Sequence, residues 1–144
     1  MESHQLAMLL RRAYMNLHRK TNAAVAGDEV TAEQFVLLTL LQEHGPLSQR
    51  EIVQKAYSDP STVRAMVVLL QNRGLVSRSV HPSDGRAWLV ELTAAGNALQ
   101  KRLWKATQPV RDYLGESMKP GQAKLLAEIL QRWSDPEQSE MGCE

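Results

Sequence analysis

The spacing of apolar residues changes twice between residues 60 and 96, and few small folds accommodate that. Val63, Met66, Val67 and Leu70 recur at three- and four-residue steps, which puts one inward stripe on a helix that Gly74 stops. Beyond the glycine the period falls to two. "LVSRSV" and "AWLVEL" alternate as strands, the second setting Trp88, Val90 and Leu92 on one face, and "HPSDGR" between them has the Pro, Asp and Gly that a turn needs. Thr93 then caps another helical pattern. A lone hairpin is marginal in water, so it has to lean on the helices at either side.

Those helices are marked by their caps. Residues 5–24 carry Leu6, Leu9, Leu10, Ala13 and Leu17 on one stripe, and "AGDEV" ends it. Thr31 with Gln34, and Ser48 with Glu51, are capping boxes, in which a hydroxyl takes an orphan amide and the second side chain reaches back. The helix over residues 32–43 is apolar nearly all round and belongs inside. A short helix spans residues 49–55. Asp59-Pro60 opens the next, with an N-cap acid and a proline at the first helical position. A long helix is expected over residues 94–117, kinked at Pro109, and a last one ends near Trp133. The expected fold is mainly α with a small β-hairpin wing. Met8, Met15 and Met66 are expected to fill gaps in the core.

Three successive helices, the second short, followed by a hairpin make a winged helix-turn-helix. Its third helix suits the major groove of double-stranded DNA, because its early exposed face offers Ser61, Thr62, Arg64 and Ala65, short enough for close approach. Arg64 reaches a guanine edge or a phosphate, and the hydroxyls suit phosphate oxygens. Ser58 precedes that helix and joins the expected contacts. Ser48 and Gln49 bring backbone amides to flanking phosphates. Arg78 lies on the first wing strand, and Arg86 at the wing tip is placed to enter a minor groove. Asp84 is expected to bond turn amides or pair with an arginine. Residues 48–86 hold six basic against three acidic residues, while the remainder holds eleven against thirteen, so the basic part is the middle.

The pattern Asp84-x-Arg86, five residues, then Leu92-Thr93-x-x-Gly96, preceded by "PLSQREIVQKAYSDPSTV" and "LLQNRGLVSR", resembles the MarR family of bacterial transcription regulators. Gly85 and Trp88 stand where the family more often has polar or basic residues. The resemblance implies an obligate, triangular homodimer with interlocked terminal helices, bound to a palindromic operator and released by a small aromatic or phenolic effector. It also implies that Arg86 is the wing arginine and Asp84 the wing aspartate. Residues 1–144 are then one domain. Its winged helix-turn-helix spans residues 30–93, its helical dimerisation part residues 1–25 and 94–134, and its tail residues 135–144. The apolar stripes of the first helix and of the last two need one another or a second chain, since a three-helix motif with a wing already has a core of its own, and a second copy is the economical answer.

Tyr14, His18, Phe35 and Trp104 are candidates to line an effector pocket. His4, His18, His44 and His81 lack ligand spacing, so neither metal nor cofactor is expected. No nucleophile elbow, phosphate loop or zinc-protease motif points to an enzyme. The N-terminal stretch is too charged for a signal peptide or membrane span, and one cysteine, Cys143, fits a reducing cytoplasm. Two other readings use the same fold: a protein-interaction module without DNA, and a redox sensor through Cys143.

Overall fold

In a computed structural model that describes residues 1–135, the helices are α1 (Ser3–Val25), α2 (Ala32–His44), α3 (Gln49–Ala56), α4 (Pro60–Asn72), α5 (Ala94–Ala106), α6 (Gln108–Glu116) and α7 (Gln122–Ser134). The strands are β1 (Leu47–Ser48), β2 (Val76–Val80) and β3 (Trp88–Leu92). Cys143 and all of the expected tail except Asp135 lie outside the described residues. The chain divides into two compact units, residues 1–108 and 109–144.

The first unit is a helix-turn-helix with its wing. Both capping boxes form: Thr31 Oγ1 accepts from the Gln34 amide at 3.2 Å, and Ser48 Oγ from the Glu51 amide at 3.1 Å. The sheet has the order β1-β3-β2, antiparallel throughout, with Leu47 opposite Val90 and Val80 opposite Trp88. Its first strand is only two residues long, too short for an alternating pattern, and no sequence signal announced it. Leu37 and Leu38 of α2, Ile52 of α3, Val63, Val67 and Leu70 of α4, Val76 and Val90 of the sheet, and Leu99 and Leu103 of α5 form one core. Phe35 is buried in it.

The junction between α4 and the wing is the tightest place. Gly74 takes φ +72°, a left-handed stop that a side chain adopts only under strain. Thr93 donates from Oγ1 to the Gly74 carbonyl at 2.6 Å, while its backbone amide donates to Leu75 O at 3.1 Å and its Oγ1 accepts from the Gly96 amide at 3.0 Å. A methyl on Gly96 would run into the Leu75 carbonyl. The Leu-Thr-x-x-Gly spacing therefore follows from the contact: a hydroxyl to cap α5 and tie off α4, and a bare α-carbon where two backbones meet.

The expected long helix is not continuous. It stops at Ala106, and α6 begins at Gln108, so Pro109 falls in the first turn of a new helix, where its missing N–H leaves no bond unmade. The buried Thr107 hydroxyl donates back to Leu103 O at 2.8 Å and helps end α5. Met8 and Met15 are exposed on α1 with Leu6, Leu9 and Leu10 rather than filling the core; α1 buries only Val25. In the second unit, neither α6 nor α7 buries a residue, and Leu125, Leu126 and Trp133 are exposed.

Gly96→Ala is expected to lower stability by about 1–3 kcal/mol through overpacking against Leu75, read as a reduced urea midpoint with unchanged slope. Ala95→Gly, one residue away and exposed, serves as the control.

Candidate nucleic-acid interface

The outward face of α4 is a stripe of Ser61, Arg64, Ala65, Val68, Leu69 and Asn72 along a shallow groove of about 890 Å³ that Gln49, Pro60 and Arg73 complete. Gln49 helps set the groove's edge, donating from Nε2 to Pro60 O at 3.1 Å and so tying α3 to the start of α4. Among the described residues, the guanidinium groups of Arg64 and Arg86 hold no partner within the chain, and both side chains are exposed.

Ser61 and Thr62 differ from the simple expectation. Their hydroxyls donate to the Asp59 carboxylate, at 2.8 Å and 2.7 Å, and the Thr62 amide donates to it at 2.9 Å. These bonds to Thr62 and Ser61 hold the Asp59 carboxyl down from 3.8 to about 2. Ser48 is spared this: its oxygen accepts a cap bond and its O–H proton stays free to donate outward. Glu51 closes that box through its bond from the Ser48 amide, which likewise lowers its pKa.

At the wing tip, Asp84 Oδ1 accepts from the Arg86 amide at 3.0 Å and Asp84 O from the Ala87 amide at 3.1 Å. The carboxylate thus shapes the turn that presents Arg86, as expected for an acid in this place. Arg78 is held on two sides. Its Nε donates to Gln71 Oε1 of α4 at 2.8 Å, and its guanidinium lies 5.4 Å from the Trp88 ring centroid. Arg73 donates to Glu29 O at 2.9 Å and Asp28 O at 3.2 Å, anchoring the end of α4 to the α1–α2 connection.

A hollow of about 420 Å³ lies behind the interface. Tyr14 and His18 of α1, Val36 of α2, Tyr57 and Ser58 of the α3–α4 link, and Thr62 and Met66 of α4 are among its walls. Tyr14 stacks on His18 with centroids 5.8 Å apart, and His18 Nε2 sits 3.5 Å from Glu33 Oε1. Two of the four expected pocket residues therefore meet. Phe35 belongs to the core, and Trp104 lines a separate hollow with Gln42, Glu43, Gln100 and Lys101. Ser58, expected on the DNA face, is half-buried in the hollow wall, and Met66, which the helical stripe assigns to the core, packs against that core and also lines the hollow. Tyr57 was missed: it ends α3 in a left-handed conformation, φ +50°, a position that sequence patterns do not mark for a tyrosine. Among the described residues, no group of His, Cys, Asp or Glu is disposed to hold a metal ion.

A family model described as the MarR family matches residues 30–88. The HTH-type transcriptional repressor NicR of Pseudomonas putida is 30% identical over 137 residues, spanning 95% of this chain and 87% of that protein. The chain belongs to the MarR family. A solved structure of BpsR of Bordetella bronchiseptica, whose DNA binding is regulated by 6-hydroxynicotinic acid, matches with a TM-score of 0.81 at 30% identity, over 91% of this chain and 99% of that one. A mutant MarR from E. coli complexed with operator DNA shares the fold, with a TM-score of 0.81 at 22% identity over 89% of this chain and 92% of that one. The family and these relatives are transcriptional regulators, not enzymes. No described helix of this MarR-family regulator is long and apolar enough to cross a membrane.

The depressed Asp59 carboxyl gives the regulator a pH signature. A carboxyl lowered from 3.8 to about 2 on folding contributes stability that is present above pH 3.8 and lost as pH falls through about 2. Asp59→Ala is therefore expected to melt below wild type at neutral pH, with the Tm gap closing between about pH 4 and pH 2. A gap independent of pH over that range would place the effect elsewhere than in the charged cap.

Proposed function

We propose that two copies of this chain form a cytoplasmic repressor that binds a palindromic operator and is released by a small aromatic acid. The observation that carries the reading is that the hollow and the DNA-facing helix share one short stretch of chain. Ser58 and Thr62 line the hollow, and Thr62 belongs to the first turn of α4, next to Ser61 and Arg64 on the outward face. An occupant that moves this stretch moves the reading head.

On DNA, α4 enters the major groove with Arg64 and Ala65 toward base edges, and Arg86 enters the adjacent minor groove. Ser48 and the α3 N-terminus approach the flanking phosphates, and Gln49 sets their spacing from α4. Ser61 and Thr62 exchange their bonds to Asp59 for phosphate oxygens as contact forms. Asp84 shapes the wing tip and Arg78 braces the wing against α4, its outer N–H groups facing the duplex. Residues 30–93 supply this reading head, and the exposed leucines of α1 and of α7 supply the surfaces that a second copy covers. Two-fold symmetry then sets the two recognition helices about one DNA turn, ~34 Å, apart.

The hollow takes a flat, hydroxylated heteroaromatic acid. Tyr14, Tyr57 and Met66 offer faces for a ring, and His18, Thr21 and Ser58 offer polar atoms. The regulation of BpsR's DNA binding by 6-hydroxynicotinic acid supports that class. A preference of about 2–3 kcal/mol for a dimer with misplaced helices lowers DNA affinity about 30- to 150-fold.

Fluorescence anisotropy on DNA from the regulator's own promoter tests the contacts. Arg64→Ala is expected to weaken binding about 5- to 150-fold and relax base preference, whereas Arg86→Ala weakens all sequences and flattens the salt dependence. Wild-type affinity in both variants at matched salt would refute this placement.

The effector half of the reading has its own assay. Added 6-hydroxynicotinic acid is expected to release wild-type protein from the operator. Tyr14→Ala, which removes a ring face from the α1 wall of the hollow without filling it, should keep DNA affinity within about two-fold and lose most of the response. An unchanged response would move the effector to another site.

A further inference from the structure

The outward stripe of α4 changes character along its length. Its first turns present Ser61 and Arg64, but Ala65, Val68 and Leu69 follow, and the groove they line is bounded by Asn72. Val68 is 38% exposed and Leu69 44% exposed, although the same helix buries Val63, Val67 and Leu70 in the core. Two branched apolar side chains facing solvent beside an unpaired arginine are not accounted for by folding, which they do not assist.

We propose that Ala65 and Val68 form an apolar reader for the 5-methyl group of a thymine in each operator half-site. This rests on the DNA-binding reading above and deepens it. Ala65 and Val68 are three residues apart and therefore neighbours on one helical face, one turn beyond Ser61 and Arg64. The patch is continuous with the cationic head of the same helix, in the stretch of chain where basic residues outnumber acidic ones, so a polyanion draws near and its groove floor meets the patch. Of the four bases only thymine carries a methyl group into the major groove, and small apolar side chains are what it contacts. Arg64 then reads or clamps the neighbouring position, and the apolar pair discriminates thymine from cytosine without a hydrogen bond.

The test removes the methyl and nothing else. A high-affinity duplex is selected from a random pool with the full-length regulator, and each thymine of one half-site is replaced in turn by deoxyuridine. One position per half-site is expected to lose about four-fold in affinity, the loss that one buried methyl implies. In Val68→Ser that penalty is expected to fall below two-fold, while Val68→Thr, which keeps a methyl, retains most of it. Both substitutions are on the surface, and unchanged far-UV circular dichroism and Tm confirm the fold. Selection yielding no sequence preference at all would defeat the DNA-binding reading itself. A selected operator in which no thymine is sensitive to methyl loss, or in which the penalty is undiminished in Val68→Ser, would overturn the methyl reader alone. So would a change of oligomeric state in Val68→Ser with no change in the deoxyuridine profile, which would make the patch a protein contact.

Discussion

Everything the wing does depends on the backbone contact between Leu75 and Gly96. At this point α4 has just ended, β2 is about to begin, β3 has ended and α5 is in its first turn. Thr93 satisfies the last carbonyl of the α4 stop and one orphan amide of α5 with a single hydroxyl, and the absent side chain of Gly96 lets the two backbones close. A hairpin of two five-residue strands does not hold its own orientation in water. It acquires one here because its open end is pinned to α4 and α5 together. Arg78 then braces the middle of the wing, through Gln71 on one side and Trp88 on the other.

Electrostatics around α4 are arranged for the unbound state. Asp59 places a carboxylate at the N-terminus of the helix, where the orphan amides favour it, and its depressed pKa records how well it is served. The same carboxylate occupies the two hydroxyl protons nearest the proposed phosphate path. On the proposed placement, contact with DNA includes an exchange of hydrogen bonds rather than a simple gain, and a net contribution of about 0.5–1.5 kcal/mol rather than the strength of an isolated bond is the appropriate scale. Arg64 and Arg86, which surrender no internal partner, contribute more of the affinity on this account.

Local chemistry explains which parts were legible in the sequence. Caps are decided within four residues, so Thr31 with Gln34, Ser48 with Glu51 and Asp59 with Pro60 each announced a helix that the structure contains. The wing followed from the change of period and from Asp84, whose turn-forming role needs only its immediate neighbours. Features set by distant contacts were not legible. A two-residue β1 has no period to read, and an all-round apolar α2 does not reveal that Phe35 faces the core while Val36 faces the hollow. Thr107 gave no sign that α5 would stop there, because a proline permits either a kink or a fresh start. The Asp59 grip on Ser61 and Thr62 was in principle readable, since an acid two and three residues before hydroxyls is a local motif.

The hollow and the outward face of α4 are joined through a helix that is anchored at both ends. At its start, Ser58 and Thr62 form part of the hollow wall; at its end, Arg73 is hydrogen-bonded to the carbonyls of Asp28 and Glu29, where α1 passes into α2. Asp28 in turn pairs with Arg102 of α5 at 3.6 Å. On the proposed reading, a ring wedged against Tyr14 and His18 displaces α1, and these contacts would pass that displacement to both ends of α4. Linkage requires the converse with the same magnitude: DNA that holds α4 in place weakens the effector by the factor through which the effector weakens DNA. An exposed, 3.6 Å ion pair adds little energy to this arrangement. The two Arg73 bonds to backbone, with no flexible acceptor, are the stiffer part of the transmission.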